Sequence, residues 1–105
     1  MMALEINSAT TGGAIEITVE GTVDLYSAPQ LRSALLESVK AAQQRIVVNL
    51  VGVIYMDSSG VAVLVEGLRS ARTHDTTFVL SNPSSSVMKV LELAKLDQIF
   101  EIEGQ

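Results

Sequence analysis

Hydrophobic and polar residues alternate along two runs near the start of the chain. The first run alternates about Ile6 and the second about Ile17, and residues 10–13 between them are turn-forming threonines and glycines. Such alternation is typical of half-buried strands. We therefore expect a hairpin with one solvated face, whose second strand ends at Gly21.

A helical period replaces this alternation further along the chain. Ser27 is a cap candidate, and Pro29 fits the first turn of a helix. Apolar residues then recur every three or four positions, at Ala28, Leu31, Leu35, Val39 and Ala42. This spacing predicts an amphipathic helix with one face packed inward.

A short apolar run with almost no alternation follows at residues 46–51. This pattern is typical of a strand that is covered on both faces. We expect it to be the central strand of a sheet and to lead into a loop at residues 52–56.

A second helix is predicted from Ser58 to Thr73. Its inward stripe consists of Val61, Leu64, Val65 and Leu68. Val63 lies roughly 200° around the helix from Val61, because successive residues turn by about 100°. We therefore expect Val63 to be exposed and available as a contact.

Three shorter elements complete the pattern. Residues 76–80 predict a strand, residues 82–84 a turn and cap, and residues 99–102 an edge strand. The third helix between them has an apolar stripe at Val87, Val90, Leu91 and Ala94. The order strand, strand, helix, strand, helix, strand, helix, strand predicts an α/β fold with helices covering a mixed sheet.

Composition favours one packed domain whose partners are proteins. The 105 residues are 48% hydrophobic and 18% charged, which argues against a disordered tail. The formal net charge is −5 and there is no block of Lys or Arg, so we expect neither nucleic-acid nor membrane binding. Since the N-terminus lacks a signal-peptide pattern and no apolar segment approaches about 18 residues, we expect a cytoplasmic location.

The residue types argue against catalysis, metal binding and a cofactor. The chain has no cysteine and one histidine, His74, which we expect at the surface near the end of the second helix. A nucleophilic serine would need a base and an orienting group beside it. Gly12 and Gly13 lack the spacing and the lysine of a phosphate-binding loop. We therefore expect a binding protein and not an enzyme.

The sequence Asp57-Ser58-Ser59-Gly60 stands where the central strand gives way to the second helix. The first N–H groups of a helix lack intrahelical partners and carry the positive end of its dipole, so they accept a capping oxygen or a phosphate. Ser58 is therefore a candidate switch residue. The alternative is that Asp57 or Ser58 simply caps the helix.

Further motifs give this chain a family resemblance that spans nearly all 105 residues. Gly21-Thr22-Val23-Asp24 forms a turn before the first helix, Asn49-Leu50 replaces a usual Asp-Leu, and Val53 to Met56 leads to Asp57-Ser58-Ser59-Gly60. In this order the motifs resemble those of single-domain anti-sigma factor antagonists of the STAS family. The resemblance implies one STAS domain over residues 1–105, with a mixed β-sheet of four to five strands covered by three to four α-helices.

The resemblance also implies a function in the regulation of transcription. In such antagonists the serine after the motif aspartate, here Ser58, is phosphorylated by a partner that is both anti-sigma factor and serine kinase, of the histidine-kinase-like ATPase class. The unphosphorylated antagonist binds this kinase and frees a sigma factor by partner switching. A PP2C-type phosphatase later restores the serine.

The partner-binding residues that we expect from the motifs and the resemblance are Asp24, Asp57, Ser59, Gly60, Val61 and Val63. Several have a plain structural alternative. Asp24 fits a turn or a helix cap, Asp57 fits a cap, and Ser59 fits a first-turn hydroxyl. Gly60 would allow either close approach of the kinase or tight packing.

Two other functions remain open for a small STAS protein. One is a non-enzymatic subunit of an ABC-type lipid transport complex, although those subunits often lack the first motif serine. The other is a docking domain for a sensor or cyclase-type regulator that uses the same surface without phosphorylation.

Overall fold

The elements follow one another as the hydrophobic pattern predicts. The computed structural model describes residues 4–41 and 44–104, so Ala42 of the predicted helical stripe lies outside the described residues. The strands are β1 (Glu5–Thr11), β2 (Ala14–Val23), β3 (Arg45–Met56), β4 (Thr77–Ser81) and β5 (Glu101–Glu103). The helices are α1 (Ala28–Ala41), α2 (Ser58–Thr73) and α3 (Ser85–Leu93).

The five strands form one mixed sheet in the order β1-β2-β3-β4-β5. β1 and β2 pair antiparallel as the predicted hairpin, while the pairs β2–β3, β3–β4 and β4–β5 are parallel. Gly12 and Gly13 make the hairpin turn with φ of +53° and +87°, a left-handed conformation that residues with a Cβ rarely adopt. β3 is the central strand, as predicted.

β3 is covered on one face only, which corrects the prediction of a strand buried on both faces. Ile46, Val48 and Leu50 are fully buried and join the side chains of the helices in the hydrophobic core. Val47 is half-buried and Val51 is 62% exposed on the opposite face. The run of β-branched residues in β3 therefore indicates a strand, because these residues favour strands, but it does not indicate that both faces are buried.

β2 and β3 extend beyond their predicted ends. Gly21 pairs with Val53, and Val23 with Met56, so the second strand does not stop at Gly21 and residues 52–56 are not a loop. The register of this pairing shifts twice, because β3 carries one extra residue at each of two bulges. The bulges change which side chains of β3 face the core.

Helices α1 and α2 pack side by side. Arg32 donates three hydrogen bonds to Glu66, from Nε at 2.8 and 3.0 Å and from Nη2 at 2.7 Å, and this contact lowers the pKa of the Glu66 carboxyl. A Cβ on Gly67 would lie 3.0 Å from the Phe78 ring and 3.3 Å from Leu35. Because Gly67 has no side chain, Leu35 of α1 and Phe78 of β4 can pack closely against α2 at this position.

Candidate functional site

The two sequence motifs meet at the edge where β2 and β3 end. Val23 pairs with Met56, and the N–H of Asp57 donates to the Val23 carbonyl oxygen at 3.1 Å. The carboxyl ends of parallel strands lie at the same edge of a sheet, so the chain after Val23 and the chain after Met56 leave it side by side. Asp24 and Ser58 therefore lie in neighbouring segments.

Asp57 is the cap of α2. Its side-chain Oδ1 accepts a hydrogen bond from the Ser59 N–H at 2.8 Å. Its carbonyl oxygen accepts from the N–H groups of Gly60 and Val61 at 3.1 and 3.2 Å. Of the two residues that could cap the helix, Asp57 is therefore the cap, and Ser58 is the first helical residue.

The Ser58 side chain is exposed and is not needed for this cap. Within the described part of the chain its hydroxyl takes no part in the intramolecular hydrogen bonds, which run through Asp57 and Ser59 instead. Ser58 borders two shallow grooves. One, of about 610 Å³, lies against Arg69 and Leu96, and the other, of about 390 Å³, lies against Lys89 and Leu93. An enzyme can reach this hydroxyl from solvent without unfolding the helix.

Asp24 stabilises the turn between β2 and α1, which is the structural role that we gave as the alternative to partner binding. Its Oδ1 accepts from the N–H groups of Tyr26 and Ser27 at 2.9 and 3.0 Å. The Ser27 hydroxyl donates to the Thr22 carbonyl at 2.8 Å and accepts from the Asp24 N–H at 2.9 Å. Among the described hydrogen bonds, those of Asp24 stay within this turn and none joins it to Ser58.

Three of the expected contact residues are buried. Val61 is 6% and Val63 is 7% exposed, so the predicted exposure of Val63 is wrong. The reason is that α1 lies along α2 and widens its buried face beyond one stripe, leaving Ala62 as the exposed residue beside Val63. Gly60 is also buried, and a Cβ there would lie 2.6 Å from Met56 Cγ and 2.8 Å from Val23 Cγ1. Packing therefore accounts for Gly60.

Sequence reasoning missed a group of exposed hydrophobic side chains around this edge. They are Leu25, Tyr26, Ile54, Tyr55 and Leu93. We call this group the apolar rim. A usable signal was present at two places, because Leu25-Tyr26 directly follows the turn aspartate, and Ile54-Tyr55 lies in a segment that was predicted to be a loop.

Other candidate chemistry lies away from this edge. His74 is the C-cap of α2 and is exposed, as predicted, and its Nδ1 lies 2.8 Å from the Ser70 carbonyl oxygen. Residues 4–41 and 44–104 contain no group of three or more acidic or histidine side chains that could hold a metal ion. No helix in these two ranges is long and apolar enough to cross a membrane.

The fold and this edge define the class of protein. The sequence profile of the STAS domain matches residues 5–104. The chain belongs to the STAS domain family. The anti-sigma-B factor antagonist of Listeria monocytogenes is 34% identical over 105 residues, covering 98% of this chain and 90% of that protein. Within the family the chain therefore groups with the anti-sigma factor antagonists.

Solved structures confirm the fold. An anti-sigma factor antagonist from Mycobacterium paratuberculosis superposes with a TM-score of 0.88 at 19% identity, over 98% of this chain and 87% of that chain. The Bacillus cell fate determinant SpoIIAA in its phosphorylated form superposes with a TM-score of 0.73 at 23% identity, over 98% and 92%. The predicted α/β sheet of four to five strands with three to four helices is confirmed by five strands and three helices over the described residues.

Proposed function

We propose that this chain is an anti-sigma factor antagonist whose binding to its partner is switched off by phosphorylation of Ser58. The observation that carries the proposal is the exposed Ser58 hydroxyl at the first position of α2, beside a cap that Asp57 already provides. Support comes from the relative in Listeria monocytogenes, which is an anti-sigma-B factor antagonist, and from SpoIIAA, which has a phosphorylated form.

The partner is an anti-sigma factor that is also a serine kinase, of the histidine-kinase-like ATPase class. The unphosphorylated antagonist binds it and a sigma factor is released. Phosphorylation of Ser58 frees the anti-sigma factor to inhibit again, and a PP2C-type phosphatase resets the serine. The antagonist acts in this cycle as a binding protein and as a substrate, not as an enzyme.

The physical basis of the switch is local. A phosphate on Ser58 adds about −1.5 to −2 charges beside the Asp57 carboxylate. The N-terminus of α2 stabilises that charge within the antagonist, so the fold persists. At the interface, like charges that are brought together cost several kcal/mol. A loss of about 3 kcal/mol would weaken binding roughly a hundredfold.

Affinity capture from the native lysate tests this function. Wild type, Ser58→Ala and Ser58→Asp serve as baits, and retained proteins are identified by mass spectrometry. Ser85→Asp is a matched control, because Ser85 is the exposed first residue of α3 and follows the capping Ser84, as Ser58 follows Asp57. We expect a serine kinase to be retained by wild type, Ser58→Ala and Ser85→Asp and to be lost from Ser58→Asp.

Two results would contradict the proposal. One is equal retention of the kinase by Ser58→Ala and Ser58→Asp. The other is capture of transporter ATPase subunits by all four baits, which would make Ser58 an ordinary surface residue of a structural subunit.

A further inference from the structure

Exposed apolar side chains are concentrated around Ser58. Over residues 4–41 and 44–104, seven large hydrophobic side chains are exposed, and the five of the apolar rim lie at this one edge. Tyr55 pairs with Thr22 in the sheet, and Tyr55 and Leu93 line the 390 Å³ groove that Ser58 borders. Exposed apolar side chains that are grouped at one edge of a fold are a common feature of contacts with other proteins.

Leu25 and Tyr26 are the most exposed pair within the apolar rim. Leu25 is 67% and Tyr26 is 89% exposed, although Val23, two residues before Leu25, is fully buried. Burial would be favourable for the apolar surface of both side chains, since the removal of such surface from water stabilises a protein. The chain nevertheless holds both of them in solvent.

The turn that carries these two residues is internally braced. Both N–H groups that follow Leu25, those of Tyr26 and Ser27, donate to the Asp24 carboxylate. The Ser27 hydroxyl then ties the turn to the Thr22 carbonyl. A braced backbone presents its side chains in one conformation, and such preorganisation lowers the entropy that binding would cost. Tyrosine is also a frequent hot-spot residue at interfaces.

The surroundings of the pair indicate which kind of surface it meets. The turn is joined to the Ser58 site through the hydrogen bond from the Asp57 N–H to the Val23 carbonyl. Asp24 directly precedes the pair, Asp57 is joined to the end of β2 by that hydrogen bond, and the chain carries a net charge of −5. A complementary partner therefore offers an apolar pocket with basic residues around it.

We propose that Leu25 and Tyr26, presented by the braced turn of Asp24 and Ser27, are the apolar anchor that docks this chain onto its anti-sigma factor, in a contact continuous with the Ser58 surface. The inference rests on the proposed function. It assigns the affinity for the partner to Leu25 and Tyr26, whereas phosphorylation of Ser58 controls whether the partner is bound. Asp24 acts in this docking as a positioning residue, since its carboxylate holds the turn.

The test titrates the purified kinase that wild type retains and Ser58→Asp releases. The variants are Leu25→Ala and Tyr26→Ala, with Val51→Ala as the matched control, because Val51 is as exposed as Leu25 but lies on the open face of the sheet. We expect each anchor variant to weaken binding about tenfold or more and Val51→Ala to leave it unchanged. Thermal unfolding verifies that the three variants fold.

Asp24 has a conservative variant that separates positioning from charge. Asp24→Asn retains the Oδ1 acceptor for the turn, whereas Asp24→Ala removes it. We expect Asp24→Ala to bind as weakly as Tyr26→Ala and Asp24→Asn to recover most of the affinity.

Two outcomes would overturn the anchor, and they are distinguished by what happens to the proposed function. If the kinase binds Leu25→Ala and Tyr26→Ala as tightly as wild type while Ser58→Asp still releases it, the anchor is wrong and the switch stands. If no captured protein distinguishes wild type from Ser58→Asp, the proposed function fails and the anchor fails with it.

Discussion

Asp57 and Ser58 are adjacent in the motif but have different roles. The Asp57 carboxylate accepts from the Ser59 N–H and starts α2, while the exposed Ser58 hydroxyl stays outside that hydrogen bond. Asp and Ser are both favoured as caps, so the sequence of the motif does not show which of them caps α2. The backbone decides it, because Asp57 has extended geometry with φ of −102° and ψ of −171° whereas Ser58 is helical.

Loss of the Asp57 carboxylate is expected to destabilise the protein through the cap. Asp57→Ala removes the acceptor of the Ser59 N–H, and such losses cost about 1 kcal/mol in the free energy of unfolding. Urea denaturation measures the change. Asp57→Asn retains an acceptor and is expected to stay close to wild type, and Ser58→Ala to change stability by less than about 0.5 kcal/mol. A larger loss in Ser58→Ala than in Asp57→Ala would contradict this assignment of the cap.

Strand β3 shows how an element differs from its sequence pattern. Its second half, from Gly52 to Met56, pairs with the end of β2, although we predict a loop there from the sequence. The extra residue between Val53 and Tyr55 is Ile54, so the bulge turns Ile54 and Tyr55 outward while Met56 returns to the core. Part of the apolar rim thus exists because of a bulge that a strict period of two cannot predict.

Two adjacent residues of β3 test whether one face or both faces of the strand contribute to stability. Leu50 is fully buried and Val51 is 62% exposed. We expect Leu50→Ala to lower the free energy of unfolding by about 2–5 kcal/mol and Val51→Ala to change it by less than about 0.5 kcal/mol. Chemical denaturation of both variants supplies the measurement. Comparable losses at the two positions would mean that the second face is covered as well.

At the scale of the whole molecule, topology assembles the site. Asp24 and Ser58 are separated by a helix and a strand in sequence, yet the parallel pairing of β2 with β3 brings Val23 and Asp57 into hydrogen-bond contact. Leu93 of α3 lines the same groove as Ser58 and so belongs to this edge as well. The proposed binding surface therefore lies at one edge of the sheet and is formed by several segments of the chain.

The same architecture predicts that the proposed switch at Ser58 changes the surface of the protein and leaves the fold intact. Ser58→Asp places a carboxylate at the positive end of the α2 dipole, so we expect its free energy of unfolding to stay within about 1 kcal/mol of wild type. Amide chemical shifts are expected to change only near the start of α2 and the neighbouring turn at Asp24. Shift changes spread through the core strands would instead indicate that the charge acts by rearranging the fold.

The sequence by itself determined the order of the elements, the bounds of α2, the hairpin turn, the central place of β3 and the motif that carries Ser58. These features depend on local periodicity, on capping residues and on glycines, all of which act between near neighbours. The resemblance that these motifs carry also indicated the family.

Only the tertiary structure decided which faces are covered and which residues meet. The burial of Val63 depends on α1 lying along α2, and the single covered face of β3 depends on where the helices pack. The packing role of Gly60 depends on Met56 and Val23, and the apolar rim draws on three separate segments. Each of these contacts joins residues that are distant in sequence, so no local pattern contains it.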